Sequence, residues 1–201
     1  MRTPQQERST TSADRMLDAT LDLLAAGGLA AVTVAGVARA AGTSNGSLYH
    51  RFGDRRGLLV AAQDRALARV EAETLAAFGA VDALPDDEAV ARLAEVAVAM
   101  FGDHRAVLRA FLVEAQDDPD FQARSERCTH LIATTTTGWL QRRLGAGPEE
   151  AEAAYRVIVS LGITSALLDE GGVSPTPLAP AALAAALARA VLAIVSTPST
   201  A

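Results

Sequence analysis

The segment 33–56 constrains the fold of this chain more than any other stretch. It contains two short helical patterns that meet at Ala41-Gly42, and each is opened by a hydroxyl residue, Thr33 or Ser44, of the type that caps a helix N-terminus. Gly42 can adopt the positive φ that a tight turn between two helices requires. The pattern therefore predicts a helix-turn-helix, with helices over about 33–41 and 44–51.

The two predicted helices have one apolar side and one polar side. The apolar side consists of Val37, Ala38, Ala41, Leu48 and Phe52. The polar side of the second helix carries short polar groups followed by two long hydrogen-bond donors: Ser44, Asn45, Gly46, Ser47, His50 and Arg51. Such a helix suits the major groove of DNA, which is about 12 Å wide. On this pattern alone, a helix pair that only packs in a core explains the residues equally well.

The remaining sequence predicts an all-α protein. Half of the 201 residues are apolar, and no run of Val, Ile or Thr alternates with a period of two. Gly, Pro and Asp divide the chain into about nine helices, expected over 12–26, 33–41, 44–51, 54–78, 85–102, 103–116, 119–144, 148–169 and 180–196. We expect a flexible tail over 1–11, a three-helix DNA-binding head over 12–60 and a helical-bundle body over 61–201.

Charge is distributed unevenly between the predicted head and body. The chain as a whole carries a net charge of −6, yet arginines outnumber acidic residues over residues 1–60. A basic head on an acidic body is expected when only one end of a protein meets phosphate.

Targeting and disulfide signals are weak. The N-terminal residues lack the apolar core of a signal peptide. The most apolar stretch, 178–195, is mostly alanine and contains Pro180 and Arg189, so we expect a buried helix and no membrane contact. A single cysteine, Cys128, excludes an intrachain disulfide. The sequence thus predicts a cytoplasmic protein.

The order and spacing of residues in the head closely resemble the TetR family of bacterial transcriptional regulators. The family's pattern is a Thr-capped helix, then Ala-Gly-x-Ser-x-Gly-[Ser/Thr]-Leu-Tyr-x-x-Phe, then a small polar residue and a basic one before an apolar helix. The chain matches this pattern at Thr33, Ala41-Gly42, Ser44, Gly46-Ser47-Leu48-Tyr49, Phe52, Asp54, Arg55 and Leu58-Leu59. The resemblance implies a helix-turn-helix head and a body that dimerises and binds a ligand.

The resemblance also implies which head residues contact a double-stranded DNA operator. Thr33 and Tyr49 would hydrogen-bond phosphates, and Arg55 would do the same where the family usually has Lys. Arg51 would meet a phosphate or a guanine. The positions where family members touch base edges or the adjacent sugar-phosphate are Ser44, Asn45, Gly46, Ser47 and His50.

The last two predicted helices are candidates for a homodimer interface. Residues 155–168 are apolar nearly all round, which is more than a monomer's surface helix needs. A two-fold four-helix interface would place two recognition helices about one DNA turn apart, ~34–36 Å, on a near-palindromic site. The candidate interface residues are Tyr155, Val159, Ile163, Leu167, Ala182, Ala186 and Ala190. In the alternative interpretation these helices form only the monomer's core.

A small-molecule pocket is predicted in the body. Its candidate lining residues are Met100, His104, Phe111, Thr135, Trp139 and Tyr155. Hydroxyls of the run 134–137 can bond back to carbonyls and bend a helix, which would open a cavity beside Trp139. A helix that merely tolerates the polar run is an equal alternative. In the implied mechanism, a ligand shifts helices four and six and separates the heads.

Enzymatic chemistry is not predicted. The three histidines lie far apart, no His-Cys-carboxylate cluster has metal-ligand spacing, and no phosphate-binding glycine loop is present. We expect no cofactor and no metal. The sequence predicts a homodimeric regulator, a repressor released from its operator by a small molecule. The alternative is a constitutive DNA-binding protein without a ligand.

Overall fold

The computed structural model describes residues 4–115, 117–168 and 173–196. Within these residues it contains nine α-helices and no β-strand, which confirms the predicted fold class. The helices are α1 Pro4–Ala31, α2 Val34–Ala40, α3 Asn45–Phe52, α4 Arg55–Ala80, α5 Asp86–Asp103, α6 Arg105–Arg109, α7 Pro119–Leu144, α8 Pro148–Leu167 and α9 Pro180–Val195. No helix in the described part of the chain is both long and apolar enough to span a membrane.

Helix α1 begins earlier than predicted and is interrupted where its end was predicted. It begins at Pro4 rather than Ser12, so the backbone of residues 4–11 is helical where a tail was expected. Near its end Gly28 adopts φ +66° and ψ −165°, which breaks the helix at the predicted stop. A further helical turn then continues to Ala31.

The predicted sixth helix, 103–116, is divided. Helix α5 extends to Asp103, α6 covers only Arg105–Arg109, and a π-helical segment follows over Ala110–Glu114. The Ala115 N–H donates to the Ala110 carbonyl at 2.9 Å, the five-residue spacing of a π-helix. Residue 116 lies outside the described residues, as does residue 169, the predicted end of the eighth helix.

The chain forms two compact units, each with its own apolar core. Unit 1 comprises residues 1–68 and 106–125, and unit 2 comprises 69–105 and 126–201. The core of unit 1 includes Met16, Leu24, Val32, Val37, Leu48, Leu58, Phe111 and Phe121. Residues 106–125 therefore pack in one core with the predicted head, a long-range contact that the helix pattern does not indicate.

The core of unit 2 is built around contacts of α9 with α5 and α8. The Trp139 ring packs on Phe78 with centroids 5.7 Å apart. Gly162 of α8 lies against the ring of Phe101, where an added Cβ would come within 2.0 Å of a ring carbon. A glycine is thus required for this helix contact at its present separation.

Candidate DNA interface

The N-terminus of α2 is capped by Thr33. Its backbone is extended, with φ −111° and ψ 148°, and its Oγ1 accepts a hydrogen bond from the Gly36 N–H at 3.0 Å. The cap satisfies an amide that otherwise has no partner in the helix. Thr33 itself remains exposed, beside the exposed amide end of α2. That end carries partial positive charge, which favours phosphate.

The turn between α2 and α3 depends on Gly42. Its φ is +62°, the left-handed conformation that a side chain disfavours. The Thr43 N–H bonds back to the Ala38 carbonyl at 2.9 Å and closes the end of α2. Val37, Ala38 and Ala41 are buried, so the two helices approach closely, as the sequence predicts.

Helix α3 presents a polar face around a single buried anchor. Leu48 is 2% exposed, whereas Tyr49, one residue later, is 53% exposed. The other candidate contact residues on or beside α3 are all exposed: Ser44, Asn45, Gly46, Ser47, His50 and Arg51. The structure therefore leaves all of these residues accessible, with Leu48 as the buried side of the helix.

Hydroxyl groups order the start of α3. The Ser44 Oγ accepts from the Ser47 N–H at 3.1 Å and lies 3.0 Å from the Ser47 Oγ. The two hydroxyls therefore share one hydrogen-bond network at the helix N-terminus, where anions are favoured. A groove of about 430 Å³ adjoins them and is lined by Ser12, Met16, Ser44, Gly46, Ser47, His50 and Arg51.

Comparisons with known proteins agree with this geometry. Residues 16–62 match the family model described as bacterial regulatory proteins, tetR family. These residues form a TetR-family N-terminal domain. The matched segment contains α2, α3 and the first turns of α4.

Solved structures share the fold over nearly the whole chain. A transcriptional regulator from Rhodococcus sp. Rha1 is 24% identical, with a TM-score of 0.73 over 92% of this chain and 96% of that one. A regulatory protein of the tetR family from Rhodococcus RHA1 is 23% identical, with a TM-score of 0.68 over 94% and 98%. The multidrug binding protein EbrR, complexed with imidazole, is 22% identical, with a TM-score of 0.64 over 94% and 97%. A search of curated proteins finds no match.

The match identifies the type of domain. Residues 16–62 are a helix-turn-helix segment of the kind found in bacterial regulatory proteins, which supports DNA binding by this part of the chain. Among the described residues, no group of three or more His, Cys, Asp or Glu side chains is arranged to hold a metal ion.

Arg55 has hydrogen-bond partners within unit 1. Its Nε donates to the Val32 carbonyl at 2.6 Å, and its Nη2 donates to the Leu29 carbonyl. The predicted phosphate contact would therefore use the N–H groups that remain, chiefly the two of Nη1. Arg55 also joins the start of α4 to the segment that precedes Thr33.

Arg56 has acidic partners instead. Its Nε and Nη2 donate to the two carboxylate oxygens of Asp118, and Nη2 also lies 2.6 Å from an oxygen of Asp120. These hydrogen bonds raise the pKa of Arg56 and lower the pKa of Asp118. The two neighbouring arginines thus have different partners within unit 1: Arg55 binds backbone carbonyls and Arg56 binds carboxylates.

The candidate pocket residues lie in different places. Phe111 is in the core of unit 1, against Phe121 at 5.0 Å between ring centroids. The other five are in unit 2: Met100, His104, Thr135, Trp139 and Tyr155.

Two of the candidate pocket residues in unit 2, His104 and Tyr155, already form hydrogen bonds within the protein. The His104 Nε2 lies 2.9 Å from the Glu73 Oε2, and this hydrogen bond is the main cause of a lowered Glu73 pKa, followed by Arg69. The Tyr155 hydroxyl donates to the Thr129 carbonyl at 3.2 Å. Burial raises the pKa of Tyr155 to about 12.

Hydroxyls of the threonine run 134–137 bond back to backbone carbonyls, as predicted, but the run does not end its helix. The Thr135 hydroxyl donates to the Leu131 carbonyl at 2.8 Å, and those of Thr134 and Thr137 make the same bond to the carbonyl four residues back. Helix α7 nevertheless continues through the run to Leu144.

The candidate dimer residues differ in exposure. Tyr155 is buried, whereas Val159, Ile163 and Leu167 on α8 are half-buried. On α9, Ala182 is exposed, and Ala186 and Ala190 are half-buried. The residues of α9 that enter the core of unit 2 are Ala184, Leu187, Ala188 and Val191.

Sequence reasoning missed two residues beside this interface. Ser12 lines the groove next to α3. Glu114 accepts a hydrogen bond from the Leu29 N–H at 3.0 Å, just before the helix-turn-helix. The contact spans 85 positions in the chain, and neither periodicity nor a local motif signals such a pairing.

Proposed function

We propose that this regulator is a homodimeric repressor that binds a near-palindromic operator and leaves it when a small molecule binds. The observation that carries the DNA-binding part is the exposed polar face of α3 beside buried Leu48. Burial of Leu48 fixes how the helix is presented, and the short side chains of its first turn allow close approach to base edges. Acting on bacterial DNA would place the protein in the cytoplasm.

Phosphate contacts are assigned to residues that flank this face. Thr33 and Tyr49 are exposed at opposite ends of the helix-turn-helix and carry hydroxyl groups suited to phosphate oxygens. Arg55 would add a contact through Nη1. Such contacts set the register of the protein on DNA without reading its sequence.

Base contacts are assigned to α3 itself. Asn45, His50 and Arg51 carry the donors and acceptors that can discriminate base edges, while Gly46 lets the backbone come close. Ser44 and Ser47 already share a hydrogen-bond network. They would contact DNA through the hydroxyl donors and lone pairs that this network leaves unused.

A homodimer is supported by apolar surface on α8 and α9. A groove of about 580 Å³ runs along α8 to residues 173–178 and Leu183, and Val157, Val173 and Leu178 in its lining are exposed. Burying such surface against a second copy is favourable. A two-fold axis here would also supply two reading heads for two half-sites.

A small-molecule effector is supported by polar groups within unit 2. The half-buried pair of Glu73 and His104 and the Tyr155 hydroxyl are groups that could orient a polar ligand. A structural relative, EbrR, is described as a multidrug binding protein. The alternative is a regulator whose occupancy of DNA does not respond to a ligand.

Selection of DNA duplexes from a random pool tests the DNA-binding proposal. The purified protein should enrich an inverted repeat with half-sites about 10 base pairs apart, centre to centre. Tyr49→Phe should then weaken binding about two- to tenfold on all selected duplexes, because one hydroxyl–phosphate bond is lost. Thr134→Val removes an exposed hydroxyl from α7 in unit 2 and should leave affinity unchanged.

Failure to enrich any inverted repeat would contradict the proposal. A ligand screen by thermal unfolding addresses the effector. A true effector raises the melting temperature and, at the same concentrations, releases the selected duplex. If compounds raise the melting temperature but leave DNA binding unchanged, the constitutive alternative is favoured.

A further inference from the structure

The backbone that leads into the helix-turn-helix is held at Leu29 from both sides. The Leu29 N–H donates to the Glu114 Oε2 at 3.0 Å, and the Leu29 carbonyl accepts from the Arg55 Nη2. Arg55 also binds the Val32 carbonyl, and Val32 is fully buried. The next residue is Thr33, whose side chain caps α2.

Gly28 gives the Glu114 carboxylate its access to this turn. Gly28 adopts φ +66° and ψ −165°, a region that only glycine populates readily. An added Cβ would come within 2.9 Å of the Glu114 Oε1. The carboxylate therefore packs on a bare Cα and reaches the first amide of the short turn 29–31, where it acts as an external helix cap.

Glu114 is the last residue of the π-helical segment Ala110–Glu114. The Ala115 N–H donates to the Ala110 carbonyl, five residues back, where an α-helix would use the carbonyl four residues back. The wider turn therefore ends at the residue whose side chain accepts from the Leu29 N–H.

We propose that Glu114 is a positioning residue for DNA binding: its carboxylate fixes the Gly28–Leu29 turn and, together with Arg55, sets the place of Thr33. This inference rests on the proposed operator binding. Glu114 is an acid, so its own charge repels phosphate. Its removal should nevertheless weaken binding, because the loss of position outweighs the loss of repulsion.

The test compares Glu114→Ala, Glu114→Gln and Asp22→Ala, with a duplex that the wild-type protein selects from a random pool as the probe. Asp22→Ala removes an equal charge from the exposed side of α1 and controls for electrostatics. Glu114→Ala should weaken binding about fivefold. Glu114→Gln keeps an oxygen acceptor for the Leu29 amide and should remain within about twofold of wild type.

Amide hydrogen exchange supplies a readout independent of DNA. The Leu29 amide should exchange about tenfold faster in Glu114→Ala than in wild type, while Glu114→Gln keeps its protection and core amides such as Val37 are unchanged. Equal Leu29 exchange in all three proteins would overturn the proposal. So would equal DNA affinity for Glu114→Ala and Asp22→Ala. If the wild type selects no duplex, the operator proposal fails, and the exchange result still decides whether Glu114 holds the turn.

Discussion

The guanidinium of Arg56 forms a bidentate ion pair with Asp118, with Nε 3.1 Å from one carboxylate oxygen and Nη2 2.9 Å from the other. Its neighbour Arg55 binds two backbone carbonyls beside Thr33. In the sequence these residues form one basic start to α4, yet the fold gives them different partners. The difference leads to a direct experiment.

Arg55→Ala should reduce the salt dependence of DNA binding, whereas Arg56→Ala should not. A side chain that contacts phosphate contributes about 1 to the slope of log affinity against log salt, and the proposal gives Arg55 such a contact through Nη1. The carboxylates of Asp118 and Asp120 already neutralise the charge of Arg56 and compete with phosphate for it. Titrations of one duplex at several salt concentrations measure both slopes, and an equal decrease for the two variants would contradict the assignment.

Asp118 should make folding stability sensitive to acid. Hydrogen bonds from Arg56 lower its pKa in the folded protein, so the unfolded chain binds the proton more readily. The stabilisation is therefore present above the unfolded pKa of about 3.9 and is lost as pH falls through the lower folded value.

Asp118→Asn should accordingly lower stability at neutral pH, with a difference from wild type that disappears in acid. Urea unfolding across this pH range measures the effect. In an Arg56→Ala background the same substitution should produce a smaller pH-dependent difference, because the Asp120 backbone N–H still donates to the Asp118 carboxylate and lowers its pKa. An undiminished difference there would show that Arg56 is not the main cause.

Gly162→Ala should destabilise unit 2 by about 1–3 kcal/mol, the usual cost of forcing extra volume into a packed contact. The new methyl would overlap the Phe101 ring unless that ring or α8 moved. Gly79→Ala on α4 is the matched control, because no atom lies within 4 Å of its added Cβ. It should stabilise the helix by roughly 0.5–1 kcal/mol. Chemical denaturation measures the free energy of unfolding of both variants. Equal changes for Gly162→Ala and Gly79→Ala would contradict the packing argument.

Local chemistry explains why so much of the head was predictable from sequence. The caps at Thr33 and Ser44, the left-handed Gly42 and the buried Leu48 each follow from residue type and spacing within a few positions. The helical class and most helix bounds follow for the same reason.

Long-range packing was not predictable in the same way. Glu114 meets Leu29, and Gln63 donates to the Phe121 carbonyl, through pairings separated by tens of residues. A pattern of single residues does not encode which distant backbone a side chain will reach. The π-helical segment was missed because its residues are ordinary helix formers, and only tertiary packing reveals the additional residue in the turn.

Ala186→Glu should convert the proposed homodimer into a monomer. Ala186 lies between Ala182 and Ala190, off the face of α9 that enters the core of unit 2. A carboxylate placed there would be buried without a partner in a two-fold interface, and unpaired burial of a charge costs several kcal/mol. Ala76→Glu at an exposed position of α4 adds the same charge as a control. Light scattering after size-exclusion chromatography measures the masses. A dimeric mass for Ala186→Glu at low micromolar concentration would exclude the residues Ala182, Ala186 and Ala190 from the interface. A monomeric variant should also lose affinity for an inverted repeat, because each chain then engages only one half-site.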